Sequence, residues 1–145
     1  MKKPAYDECY LESMLLKNRY LFKLIARNCA DVMQIIRDYM AGTYRSYMDM
    51  GNPLYLNKTP KQILGDMGIR VDLEADISER FDEFILEWMA DEYTYIQWKY
   101  GITSKELAEK IDPAELYKKY HPLHEASLTN SAGKLMEIYM DKGQQ

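Results

Sequence analysis

The residue types best suited to chemistry come together once, at His121-Pro122-Leu123-His124-Glu125. Two imidazoles beside a carboxylate could bind a transition metal or exchange protons near neutrality. The spacing is not the helical His-Glu-x-x-His arrangement, in which both imidazoles leave one helix face with the glutamate between them. Pro122 sets His121 before a helix and His124 within it. The sequence identifies no third ligand. His121, His124 and Glu125 are therefore expected to bond backbone or carboxylate, and no metal site is assigned.

A second acidic group is Asp82, Glu83, Glu87, Asp91 and Glu92. Di-metal helical bundles need Glu-x-x-His on two helices, and neither histidine here follows a glutamate by three. This run is expected to be a solvated helix face. The chain has no glycine-rich phosphate loop, Gly-x-Ser-x-Gly elbow or Cys-x-x-Cys, so no catalytic residue and no cofactor are assigned.

The third group is Gly101-Ile102-Thr103-Ser104-Lys105-Glu106-Leu107-Ala108. It looks like the first helix of many helix-turn-helix units, which often read Thr-x-x-Glu-Leu-Ala. A helix from Pro113 would then present Lys118, Lys119 and His121, with Lys105 on the preceding helix. Three features argue against DNA. The turn is Asp112-Pro113 in place of glycine, the reading helix lacks Arg, Asn and Gln, and its surroundings are acidic. A DNA-binding regulator using Lys105, Lys118 and Lys119 is the alternative reading.

These groups must be carried by helices. Leu11, Leu15, Asn18, Phe22, Ile25, Cys29, Val32, Ile36 and Tyr39 recur in steps of four and three. That stripe spans about Asp7–Met40 as one helix, or as two collinear ones broken near Asn28–Asp31. It fits either a central core helix or a seam with a second copy. Gly51-Asn52-Pro53 is a stop, and Thr59-Pro60-Lys61-Gln62 is a capping box that starts another helix. Ile69–Leu73 alternates apolar and polar, but without a partner strand it reads as a connector. Asp76–Glu79 is expected to open a helix ending at Gly101, with Phe81, Phe84, Ile85, Trp88, Met89, Tyr95, Ile96 and Tyr100 on its buried face. Thr103–Glu106 and Asp112–Glu115 read as two further capping boxes, and Pro122 begins the last helix. The expected fold is all-α: one helical bundle over residues 1–145, subdivisible near 69–76, with a long N-terminal helix and a helix-turn-helix-like C-terminal cluster.

Residues 80–140 also resemble a family of short helical bacterial domains of unknown function. The shared pattern is an aromatic-rich helix, then Tyr100-Gly101-Ile102-Thr103-Ser104-Lys105-Glu106-Leu107, then a Tyr-containing helix reaching Leu123-His124. The family has a Lys-Tyr-Gly-type turn where this chain has Ile111-Asp112-Pro113. The resemblance implies a small accessory or regulatory module, encoded beside a toxin-like enzyme, and no catalytic residue.

Composition points the same way. The chain has 145 residues, among them 13 Tyr and 10 Met, types that suit cores and partner-binding surfaces alike. Net charge is −4, divided as +4 over residues 1–61 and −8 over 62–145, a polarity that could guide association. Met1-Lys2-Lys3-Pro4 begins no apolar leader, and no stretch reaches membrane-span length. Cys9 and Cys29 are too few for a zinc site and are expected to be small core residues in the reducing cytoplasm. The function expected is protein–protein interaction, with another protein through an aromatic patch of Tyr44, Tyr47, Met48, Met50, Leu54 and Tyr55 around the Gly51–Pro53 break, and with a second copy of the chain through the first long helix. No membrane partner is assigned.

Overall fold

A computed structural model describes residues 3–72 and 81–140. Among these residues ten helices follow a 3-10 turn at Glu8–Tyr10: α1 (Leu11–Asn28), α2 (Val32–Ala41), α3 (Thr43–Asp49), α4 (Pro53–Leu56), α5 (Pro60–Asp66), α6 (Glu83–Tyr100), α7 (Ser104–Lys110), α8 (Pro113–Lys118), α9 (Tyr120–Leu123) and α10 (Leu128–Tyr139). Among the described residues there is no strand, and no helix is long and apolar enough to cross a membrane.

The N-terminal stripe divides between two helices. Cys29 is extended (φ −123°, ψ 139°) and Asp31 caps α2 by accepting from Gln34 N. Most of the stripe is covered by the chain's own helices, with Leu11, Leu15 and Cys29 half-buried. Phe22, Ile25, Val32, Ile36 and Tyr39 are buried, and α1 packs most extensively against α6. Helix α6 is central: Leu86, Met89, Ala90, Tyr93 and Ile96 are buried, and α7, α8 and α10 also pack on it. A helix enclosed on nearly all sides need not be amphipathic, because no face must meet water. Residues on both sides of segment 69–76, Leu64 and Leu86 among them, share one core.

Two expectations about α6 are corrected. Phe84 is 73% exposed: α6 starts at Glu83 under an Asp82 cap, and in its first turn Ile85 and Leu86 face the core instead; the expected cap at 76–79 lies outside the described residues. The acidic run is not a solvated face either. Asp91 pairs with Arg19 at 2.5 Å, Glu87 with Lys23 at 3.1 Å, and Glu83 with Lys23 and Arg27, both at 3.3 Å. The opposite charges of the two chain halves therefore meet inside the molecule, along the α1–α6 seam.

Smaller differences lie at helix ends. Asp112 caps α8 through Ala114 N and forms a bidentate pair with Arg37 (2.7 and 3.0 Å), so the expected box with Glu115 is replaced by a tertiary anchor. The last helix starts not at Pro122 but at Leu128, where Ser127 accepts from Asn130 N. Cys9 is exposed and Cys29 half-buried, so Cys9 is no core residue. The Thr59–Gln62 box is complete in both directions.

Gly101 closes α6 in the left-handed conformation at φ 65°, where a Cβ meets the following carbonyl. Gly101→Ala is expected to cost about 1–2 kcal/mol, read as a lower urea midpoint with an unchanged m-value.

Candidate functional site

Helix α3 has two faces with different work. At about 100° per residue, Arg45, Met48 and Asp49 turn inward while Tyr47 turns outward and Tyr44 lies between. Met48 is fully buried, and Tyr39 OH lies 3.8 Å from its sulfur. It therefore leaves the expected contact surface, since it stands one helical turn from Arg45 on the inward side.

The outward face continues into α4. Gly51 takes a left-handed turn (φ 74°), Asn52 accepts from Leu54 N, and Pro53 opens the helix. Lys17 of α1 donates to the Leu56 carbonyl, and Leu56 is buried. This fixes Tyr55 against α3: its ring stacks on Tyr47 (4.7 Å between centroids, 18°) and meets Tyr44 edge-on (4.9 Å, 81°). Tyr47, Met50 and Leu54 are 37%, 65% and 69% exposed. The result is a ridge of three tyrosines flanked by two bare apolar side chains. Burial raises the Tyr44 phenol, with Asp66 adding to it.

Beneath the ridge lies a buried polar cluster that sequence reading missed. Asn18 Nδ2 donates to Thr94 Oγ1 (2.9 Å) and its Oδ1 accepts from Tyr39 OH (2.7 Å). The Arg45 guanidinium lies over the Tyr39 ring at 5.7 Å, and its Nε stands 3.6 Å from Asp49 Oδ1. Asp49 in turn accepts from Ser104 N and Ser104 OH, both at 2.6 Å. Five helices meet here: α1, α2, α3, α6 and α7. Burial opposes the Arg45 charge, but Tyr39, Asp49 and Tyr6 together hold its pKa above the ordinary value. Burial pushes the Tyr6 phenol up to about 12. Arg45 Nε and Nη1 have no hydrogen-bond partner among the described residues. Gly51 adds closeness, since a Cβ there would meet Tyr6 Cβ at 2.9 Å. Ser104, the first residue of α7, spends both its backbone N–H and its hydroxyl on Asp49, while Thr103 caps the helix by accepting from Glu106 N.

The signal for this cluster was present as Arg45-x-x-x-Asp49, an i, i+4 pair. Such pairs are common on solvated helix faces, so the spacing alone could not mark it as buried. Asn18, the one polar member of the apolar stripe, was the better signal.

The histidines form a different arrangement. The His124 ring stacks on Tyr120 (4.3 Å, 12°), and its Nδ1 lies 2.8 Å from the Tyr120 carbonyl oxygen. His121 and Glu125 are exposed. Among the described residues no three His, Cys, Asp or Glu are placed to hold a metal. The lysines of the alternative reading lie on α7, on α8 and at the start of α9. Lys105 is on the first turn of α7 beside a cleft containing Asp49, Lys118 pairs with Glu115 of its own helix at 3.6 Å, and Lys119 precedes α9 without a side-chain cap bond. Exposed Glu106, Glu109 and Glu115 share those helices.

Compared with models of known protein families, with curated proteins and with solved structures, the chain matches none.

Proposed function

We propose that the chain is a small helical protein-interaction module, accessory or regulatory in role, that engages another protein through the α3–α4 ridge. The observation that carries this reading is the stack of exposed Tyr47 on half-buried Tyr55 and Tyr44, beside exposed Met50 and Leu54, with α3 anchored from its inner face by the buried Arg45–Asp49 pair. Stacked tyrosines present a large amphipathic area with few rotamers left to freeze, which is why Tyr is enriched among residues that dominate binding energy. Met50 and Leu54 extend the apolar area, and Met adapts to irregular partner surfaces. A cytoplasmic setting is consistent with the free Cys9 and Cys29.

Tyr47→Ala and Leu54→Ala remove exposed groups and are expected to shift stability by only about 0.5 kcal/mol. The same substitutions are expected to abolish co-purification of the partner with full-length chain, while Lys61→Ala retains it. If the partner is a second copy, sedimentation at micromolar concentration reads a dimer that Leu54→Ala dissociates. Partner retention by the Tyr47→Ala, Leu54→Ala double variant would sink the proposal.

A further inference from the structure

Helix α10 is attached to the rest of the chain along one side. It packs chiefly on α6, and Ser131, Ala132 and Leu135 are its buried residues. Two side-chain hydrogen bonds cross the contact, one between Tyr95 OH and Thr129 Oγ1 at 3.1 Å and one between Ser131 and Glu92. Residues 124–127 ahead of α10 are turn and bend, so the helix can leave as a unit. Its seat on α6 holds a buried acid. Glu92 is 0% exposed, and its Oε2 has no hydrogen-bond partner among the described residues. No cation among the described residues pairs with it. The charges of the surrounding helices are committed elsewhere. On α1, Arg19, Lys23 and Arg27 serve Asp91, Glu87 and Glu83, Lys17 bonds the Leu56 carbonyl and Glu12 is exposed. On α10, Lys134 pairs with Glu137 at 3.7 Å, and burial, with Glu115, raises the Tyr139 phenol. The charged residues of α7 are exposed, Lys118 of α8 pairs with Glu115, and His124 beyond α9 bonds the Tyr120 carbonyl. On α6 itself Lys99 lies over the Tyr95 and Tyr100 rings, and Asp91 adds a like charge.

We propose that α10 is a releasable cover whose seat on α6 requires a protonated Glu92, and that ionisation of this one carboxyl lifts α10 from an otherwise folded chain. A carboxylate in the seat would be out of water with no counterion, the costliest state open to the group. The neutral acid avoids that cost and can donate to Ser131, whose Oγ stands 3.2 Å from the Leu128 carbonyl. Few contacts oppose release, since Ala132 and Leu135 are the only apolar side chains of α10 that are buried. Elements with so few buried contacts open before the rest of a fold. The core does not depend on α10, because the most extensive packing in the molecule is α1 on α6. Burial opposes ionisation more than the Ser131 bond favours it, and Asp91 adds to the opposition, so the proton is held to about pH 8. Release uncovers the α6 strip around Glu92 and Tyr95. It also frees a helix with Ala132, Leu135, Met136 and Tyr139 on one face, at the spacing of a helical stripe. This device lies apart from the α3–α4 ridge and stands without it.

The test follows the carboxyl and methyl signals of ¹³C-labelled full chain by nuclear magnetic resonance from about pH 5 to about pH 10. The Glu92 carboxyl and the Leu135 methyls are expected to shift together, with one shared midpoint near pH 8. The Leu135 methyls end at the positions of an unstructured chain. Leu21 of α1 and Leu64 of α5, both buried, keep their folded positions throughout. In Glu92→Gln, which cannot ionise, Leu135 is expected to stay docked over the whole range. Titration of Glu92 with Leu135 still docked would overturn the proposal, because the seat would then tolerate the charge. So would Leu135 and Leu21 moving in step, which is global unfolding, or Leu135 moving as far in Glu92→Gln as in wild type. Absence of any Glu92 or Leu135 shift below about pH 10 is equally fatal. Should Glu92→Gln not fold, the wild-type comparison of Glu92, Leu135 and Leu21 decides alone.

Discussion

Arg45→Ala is expected to lower folding stability by roughly 3–5 kcal/mol, the cost of leaving one member of a buried ion pair uncompensated. Arg45 is 1% exposed and Asp49 7%, so water cannot take over from the lost guanidinium. Asp49 would keep its two bonds from Ser104 but carry its charge alone. The vacated volume adds a packing loss, because Tyr39 loses the cation over its ring. Arg45→Lys should recover little, since an ammonium does not replace the planar guanidinium face on Tyr39. Urea unfolding of the three proteins measures the series. Near-UV circular dichroism adds a second reading: if Arg45 seats α3, the tyrosine signal of the ridge falls even in the folded Arg45→Ala protein. A loss below about 1 kcal/mol, the scale of an exposed pair, would show that Arg45 and Asp49 are not held as described.

The same cluster shows which features sequence can and cannot display. Helix limits were legible where local chemistry decides them: the Thr59 box, Gly101 and the α1–α2 break all follow from side chains acting within four residues. The ridge was legible for the same reason, because Gly51-Asn52-Pro53 forces a corner and crowds aromatic residues around it. Met48 was misplaced because hydrophobicity does not say which side of a seven-residue helix is covered. Phe84 fails in the opposite sense: its spacing matches the buried face of α6, but in the first turn it is Ile85 and Leu86 that face the core. The acidic residues of α6 were hardest. Asp91, Glu87 and Glu83 look like a solvated face until α1 supplies Arg19, Lys23 and Arg27, a pairing that depends on helices more than fifty residues apart in sequence.

Glu92 carries that lesson to its largest consequence. It is fully buried at the α6–α10 contact, with one carboxyl oxygen bonded to Ser131 and the other lacking a hydrogen-bond partner among the described residues. Burial raises its pKa from 4.5 to about 8, against the lowering effect of the Ser131 bond, with Asp91 raising it further. Ser131 Oγ also stands 3.2 Å from the Leu128 carbonyl. A protonated Glu92 can donate to Ser131, which then donates onward to Leu128, so the neutral acid completes a chain that the carboxylate cannot. Between pH 4.5 and about 8 the folded protein keeps this proton while the unfolded chain has lost it. Unfolding therefore releases a proton, and stability falls as pH rises across that window and levels above it. From this group alone the decline between pH 5 and pH 8 is on the order of 3 kcal/mol. Glu92→Gln keeps the shape and a donor for Ser131 but cannot ionise. The stability difference between wild type and Glu92→Gln, taken by denaturant titration at each pH, cancels every other titrating group that the two proteins share. It is expected to move steadily in favour of the glutamine variant as pH rises. A difference that stays constant from pH 5 to pH 8 would mean that Glu92 ionises in the folded protein as it does in the unfolded chain, and that α10 docks on a charged group rather than a neutral one.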